Sequence, residues 1–368
     1  MKYIFCLAVF YFSVTNVFSQ IPDETKTVFI DKNYTEQITE ATDSITRMMI
    51  KKTIPGLSVC VSLKGKTIWA QGFGYSDAEN KTPVRINTKF RVGSVSKTIT
   101  AVAIARLLDQ GKINLDSPVT AYVPYWPQKK YPITIRQIGS HVAGIRHYGG
   151  YEFNSAKHYN SVEESLDIFK NDSLRYVPGT FHFYSSYGYI LLSGAIEGAS
   201  GKTFLNFLQQ EIFDPLKMDN TVPDYNDSII SNRTRFYSLV NNKKLINAIY
   251  VDNSNKWGSG GILSTSYDLV KLGNALLQNK IISEKSRNVL WTPYRLSTGK
   301  ENVYGIGFRI EKDKAGRTFM SHGGTSIGGR TFFVIYPKEE LVMAITYNLL
   351  PAGYNEIELS DIFVKGIK

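Results

Sequence analysis

Hydrophobic and polar positions divide the chain into recognisable elements. Over 35–53, Ile38, Ala41, Ile45, Met48 and Met49 recur three or four residues apart, the period of one helical face. Pro55-Gly56 ends that helix. Leu57, Val59, Val61 and Leu63 then alternate with Ser58, Cys60 and Ser62, which predicts a half-buried strand. Lys64-Gly65-Lys66 reads as a turn and 67–73 as the partner strand. A long, mostly helical middle with many loops follows. Strands return where Tyr304, Ile306, Phe308 and Ile310 alternate, and at the apolar, β-branched runs 331–336 and 341–347. A closing helix is predicted over 356–365. Strands at both ends of a helical middle imply an α+β fold, one antiparallel sheet flanked by helices and split by a large helical insertion. The α/β lobe would comprise about 20–93 and 290–368, and the helical lobe about 94–289.

Composition supports a folded enzyme-sized body. The chain has 368 residues, 43% of them hydrophobic, enough for a large core and incompatible with a disordered, collagen-like or disulfide-scaffold protein. Lys and Arg outnumber Asp and Glu by 43 to 32. The basic residues form no run and accompany no nucleic-acid motif, so an ordinary basic surface is expected, with no nucleic acid as partner. At the start, Lys2, an apolar run over 3–14 and Val17-Phe18-Ser19 read as a signal peptide over 1–19. Its apolar run is too short to span a bilayer well, so no integral span is expected after cleavage; an uncleaved anchor is the alternative. Removal of Cys6 would leave Cys60 alone, with no internal disulfide.

Three short boxes carry candidate chemistry. In Gly93-Ser94-Val95-Ser96-Lys97, followed by the apolar helical stripe Ala101, Val102, Ile104, Ala105 and Leu107, Ser94 falls at a helix start. Lys97 lies one turn on, on the same face. An amine beside a hydroxyl suits nucleophilic catalysis. Ser-x-x-Lys alone is weak, and Ser297-Thr298-Gly299-Lys300 is a second match. The second box is Tyr184-Ser185-Ser186, after Pro178-Gly179-Thr180; a tyrosine near a lysine can move protons, but the chain has 23 tyrosines. The third is His322-Gly323-Gly324-Thr325, where glycines let a substrate lie against a strand and a backbone N–H can face an oxyanion.

The order and spacing of these boxes resemble the serine β-lactamase-like family, which includes class C β-lactamases, penicillin-binding peptidases and related esterases. The resemblance runs from about residue 35 to the C-terminus. Ile133 to Ile145 is similar to the family's Thr-His-Thr-Ser-Gly loop and the strand-like run before it, and Gly260-Gly261-Ile262-Leu263-Ser264-Thr265 with Asp268 to its glycine-rich turn into a helix. Ile145-Arg146-His147-Tyr148 and Tyr250-Val251-Asp252-Asn253-Ser254-Asn255-Lys256-Trp257 resemble one branch, the mitochondrial serine β-lactamase-like proteins of animals.

The resemblance implies a β-lactamase/transpeptidase-like fold and assigns roles. Ser94 would be the acylated nucleophile, Lys97 its proton acceptor and Tyr184 a general base or acid. His322 would stand where β-lactamases hold a lysine, beside the substrate's carboxylate. Ser186, Gly323, Gly324 and Thr325 would bind substrate, with the N–H groups of Ser94 and Thr325 as oxyanion hole. Ser186 replaces the usual Asn, and Lys-Thr-Gly occurs nowhere, which argues for a peptidase or esterase over an efficient β-lactamase. With a signal peptide in front, the expectation is an exported bacterial hydrolase, periplasmic or secreted, acting without metal or cofactor on a peptide or a small ester or amide.

Other readings fare worse. Gly324-Thr325-Ser326-Ile327-Gly328 matches a nucleophile elbow, but that fold needs a histidine downstream and His322 is the last. The five histidines form no zinc-binding pattern. A non-catalytic binding or assembly protein on the same fold is the rival from another class.

Overall fold

In the computed structural model, which describes residues 21–241, 243–350 and 356–365, the strands from the two ends of the chain lie side by side. Their order is Val28–Ile30, Lys66–Asp77, Gly56–Leu63, Leu341–Tyr347, Gly329–Tyr336, Thr318–Ser326 and Arg309–Lys312, every neighbouring pair antiparallel. The seam between the ends pairs Val59 with Ile345 and Val61 with Met343.

The strand Gly56–Leu63 is buried along its whole length, not half-buried as its alternation suggests. Leu57, Val59, Val61 and Leu63 face the core under helices Thr35–Lys52 and Glu356–Val364. The polar residues face a second helical layer and find partners there. Ser58 Oγ lies 2.8 Å from Ser266 Oγ, and Ser62 Oγ donates to Asn274 Oδ1 at 2.6 Å. Alternation therefore marks two kinds of burial, apolar contact on one face and satisfied hydrogen bonds on the other. The helix bearing those partners, Ser266–Leu277, packs on the sheet itself.

Two further expectations are corrected. The segment around Tyr304 is no strand; strand geometry begins at Arg309. Gly307 takes φ 75°, and Tyr304 through Phe308 fold into a wholly buried turn whose side chains all point inward. The strand-like run before His141 is instead the helix Ile135–Gly139, set by a capping box between Thr134 and Gln137.

Helix Ser96–Asp109 runs through the middle of the helical layer, against Ser186–Ser200 and Glu284–Leu290. It is buried nearly all round, beyond the single stripe its sequence suggests. Ile99, Val102, Ile104 and Leu107 are fully enclosed, each contributing about 1.5–3 kcal/mol. This core fixes the helix whose first turn carries Lys97.

Candidate active site

Ser94 sits in a single 3-10 turn, Gly93–Val95, that feeds helix Ser96–Asp109, so Lys97 lies in that helix's first turn. The turn abuts the strand Thr318–Ser326, backbone against backbone. Gly93 has φ 52°, and a Cβ on it would lie 2.7 Å from Thr325 N. A Cβ on Gly324 would lie 1.9 Å from Val92 O. Both positions demand glycine. Gly323 differs: a Cβ there meets nothing within 4 Å, and its position borders an open cleft.

The second box folds as a helix start. Ser185 caps helix Ser186–Ser200, its Oγ accepting from Gly188 N–H at 3.1 Å. Two imidazoles take neighbouring donors. Ser185 N–H donates to His141 Nδ1 and Ser186 N–H to His147 Nδ1, each at 3.1 Å. This turn holds Ser186 over Lys97 and Tyr184 beside it.

Lys97 is the centre of the arrangement. Its Nζ lies 3.1 Å from Ser94 Oγ and 3.1 Å from Ser186 Oγ, and donates to Ser259 O at 2.7 Å. The side chain is completely buried and forms no ion pair among the described residues. Burial alone drives its pKa well below the usual lysine value. A neutral amine has two N–H donors and one lone pair. The Ser259 carbonyl and Ser186 hydroxyl can take the donors, leaving the lone pair for the Ser94 O–H.

Tyr184 stacks its ring 5.0 Å from Lys97 Nζ and 4.3 Å from the His141 ring. Its buried hydroxyl lies beside the Ser94 and Ser186 hydroxyls without a hydrogen bond of ordinary geometry. Burial raises its pKa, against the weaker pull of those hydroxyls, so the phenol keeps its proton at neutral pH.

His322 departs from its expected role as a stand-in for lysine. Its Nδ1 lies 2.7 Å from Gly323 O. A carbonyl only accepts, so Nδ1 carries the proton and Nε2 accepts from Tyr304 O–H at 2.6 Å. Burial, and next the Lys97 charge, push its pKa down to about 3. Both ring nitrogens are engaged and the ring is neutral. The cation beside it is Arg309, exposed on the neighbouring strand opposite Ser321.

These groups border a cleft of about 670 Å³, lined among others by Ser94, Tyr184, Ser186, Lys256, His322 and Thr325. The structure thus brings every sequence-predicted site residue together: all but Lys97 line the cleft, Gly324 included, and Lys97 lies buried behind it in contact with Ser94 and Ser186. Ser297 and Lys300 lie elsewhere, in a surface turn, and Ser326 lines the cleft without a lysine partner. Residues missed by sequence reasoning are His141, His147, Tyr148, Ser259, Tyr304 and Arg309. Tyr148 Oη lies 3.2 Å from Ser259 Oγ, and burial pushes its pKa up to about 12. The one usable signal was the family-like stretch around His141 and His147. Among the described residues, no group of three His, Cys, Asp or Glu side chains is placed to hold a metal, and no helix is long and apolar enough to cross a membrane.

The beta-lactamase family model matches residues 41–361. The bovine mitochondrial serine beta-lactamase-like protein LACTB is 32% identical, over 88% of this chain and 76% of its own length. Penicillin-binding protein 4* of Bacillus subtilis is 28% identical over 74% of this chain and 63% of its own. The octameric penicillin-binding protein homologue of Pyrococcus abyssi superposes with a TM-score of 0.77 at 23% identity, covering 89% of this chain and 76% of that one. The D-amino acid amidase of Ochrobactrum anthropi does so at 0.76 and 20%, covering 90% and 98%. These relatives correct the expectation of an exported bacterial protein, because those at 32% identity are mitochondrial proteins of animals; the leader expected over 1–19 lies outside the described residues. With a family match over most of its length and a β-lactamase/transpeptidase-like fold, the chain belongs to the beta-lactamase family.

Proposed function

We propose that this protein is a serine hydrolase that works through an acyl-enzyme on Ser94, with an amide bond in a peptide as its first substrate and an ester as its second. The observation that carries the reading is the Lys97 amine, buried without a carboxylate partner and in contact with the Ser94 and Ser186 hydroxyls. The cleft opens where the strand Thr318–Ser326 meets the starts of helices Ser96–Asp109 and Ser186–Ser200.

Ser94 Oγ attacks the carbonyl carbon while its proton passes to the Lys97 lone pair. The developing oxyanion is held by the N–H groups of Ser94 and Thr325, which the Gly93–Thr325 contact brings close. Tyr184, kept as a phenol by burial, donates its proton to the leaving nitrogen or oxygen and regains one from the Lys97 ammonium. Water then attacks the ester carbonyl, its proton leaving by the same groups, and Ser94 O–H is restored.

The penicillin-binding and amidase relatives favour an amide. Ser186 in place of Asn and a neutral His322 disfavour efficient β-lactam hydrolysis, and Arg309 is the cation available for an anionic end of a substrate. Intact mass after exposure to a fluorophosphonate tests the reading. One adduct on the wild type and on Ser326→Ala, absent from Ser94→Ala, is expected. No adduct on any of them returns the protein to the class of binding or assembly proteins.

A further inference from the structure

Ser186 meets Lys97 only because the start of its helix is held in register, and the group holding it is an imidazole. His147 Nδ1 accepts the Ser186 backbone N–H at 3.1 Å, and the Ser186 hydroxyl, on the same residue, lies 3.1 Å from Lys97 Nζ. His147 is itself fixed from several sides. Its ring lies 4.7 Å from that of Tyr148 and 5.6 Å from that of Tyr184. Its carbonyl accepts from Arg146 Nη1 at 3.0 Å, and that guanidinium is clamped by Glu152 and Asp172. A rigid loop therefore presents one acceptor to one orphan donor of a helix.

We propose that His147 is a positioning residue for proton transfer: through the Ser186 N–H it sets the Ser186 hydroxyl, and with it the Lys97 amine, in line with Ser94. This rests on the serine-hydrolase reading above. The working part of the ring is Nδ1 as an acceptor, so the imidazole must be neutral there. The titratable groups facing it are Lys97, whose charge acts on the ring only below that amine's lowered pKa, His141, held neutral by burial, and the phenols Tyr184 and Tyr148, held protonated by burial; the Ser186 hydroxyl is neutral. Burial, followed by that charge, holds the His147 pKa down to about 4. Protonation would cost the helix its acceptor and set a second cation against the Lys97 site.

The test compares wild type, Ser94→Ala, His147→Ala and His147→Asn in hydrolysis of p-nitrophenyl acetate and in the rate of fluorophosphonate labelling. The asparagine Oδ1 can reach the place of Nδ1 but offers nothing at the position of Nε2. Loss of a partner from an enclosed N–H predicts that His147→Ala lowers kcat about tenfold, with KM within about twofold. His147→Asn should recover to within about threefold of wild type. The wild-type rate should also steepen in its fall near pH 4, and that extra limb should vanish in His147→Asn. Alanine equal to wild type, asparagine as slow as alanine, or an acid limb that persists in asparagine would each overturn the proposal. Should alanine misfold, the asparagine pH profile decides alone. Labelling or turnover that survives in Ser94→Ala would sink the parent reading instead, whatever residue 147 does.

Discussion

Replacing Lys97 by Met tests the electrostatic premise of the site apart from catalysis. The amine is fully enclosed, and burial is the sole cause of its lowered pKa. In the unfolded chain a lysine binds its proton up to about pH 10.4. Between the lowered folded value and that pH, the unfolded state holds one proton more than the folded state. Stability must then rise with pH by about 1.4 kcal/mol per unit from this residue alone. Below the folded value the contribution is flat. Methionine has similar length and no proton, so the variant lacks this slope. It also leaves Ser259 O and two hydroxyls without the amine, a cost of about 1–3 kcal/mol that does not vary with pH. The sign of the difference at one pH is therefore uninformative, and its slope is the observable. Urea unfolding of wild type and Lys97→Met at several values between pH 7 and pH 9 should give lines that diverge by about 1.4 kcal/mol per unit within the window. Turnover should fall about 10²–10⁴-fold. Parallel stability lines would mean that Lys97 folds as an ammonium, which could not accept the Ser94 proton, and the mechanism would need another base.

Three further outcomes follow from the same geometry. Tyr184→Phe removes a buried hydroxyl that has no ordinary hydrogen bond, so thermal stability should change little while kcat drops about 10²–10⁴-fold; an unchanged kcat would remove Tyr184 from the proton path. Gly324→Ala forces a Cβ to within 1.9 Å of Val92 O, which should cost about 1–3 kcal/mol of stability and suppress fluorophosphonate labelling of Ser94. A stable, fully labelled variant would show that the strand can stand off from the serine turn. Asp224→Asn leaves Arg91, paired at 2.7 Å and nearly buried, without its counter-charge, a loss of about 3–5 kcal/mol in urea unfolding; a loss under about 1 kcal/mol would show that Ile327 O and solvent suffice for the guanidinium.

Elements governed by local rules were legible from sequence. Helix Thr35–Lys52 ends where Thr53 takes φ 55°, two residues before the Pro55-Gly56 stop. The strands Gly56–Leu63 and Leu341–Tyr347 lie where alternation and β-branching put them. The Tyr304 segment was misread because burial on every side produces an apolar rhythm in a turn as readily as in a strand. Its glycines, Gly305 and Gly307, were the signal against a strand. The Ser94–Lys97 pair was legible because three residues on a helix bring side chains together wherever the helix goes. Tyr304 and Ser259 were not, since each reaches the site from a distant loop. Ser259 acts through its carbonyl, which every residue possesses.

The histidines show most sharply why residue type alone misleads. His141, His147 and His322 all lie near enough to Lys97 for its charge to act on them. Each commits its Nδ1 to the backbone: His141 and His147 accept N–H groups at the start of one helix, and His322 donates to Gly323 O. The Nε2 of His322 is taken by Tyr304. The three rings are thereby kept neutral beside an amine whose own charge is already disfavoured by burial. A lysine at position 322 would place an ammonium in that enclosure and, by its charge, disfavour protonation of Lys97 further. A neutral, internally bonded histidine instead leaves Arg309, one strand farther out, to meet negative charge, and leaves Lys97 as the one basic lone pair in contact with Ser94. On the proposed mechanism, the departures from the β-lactamase pattern at 186 and 322 belong to one arrangement, in which proton transfer would be confined to the Ser94, Lys97 and Tyr184 side of the cleft and substrate charge would be met at its edge.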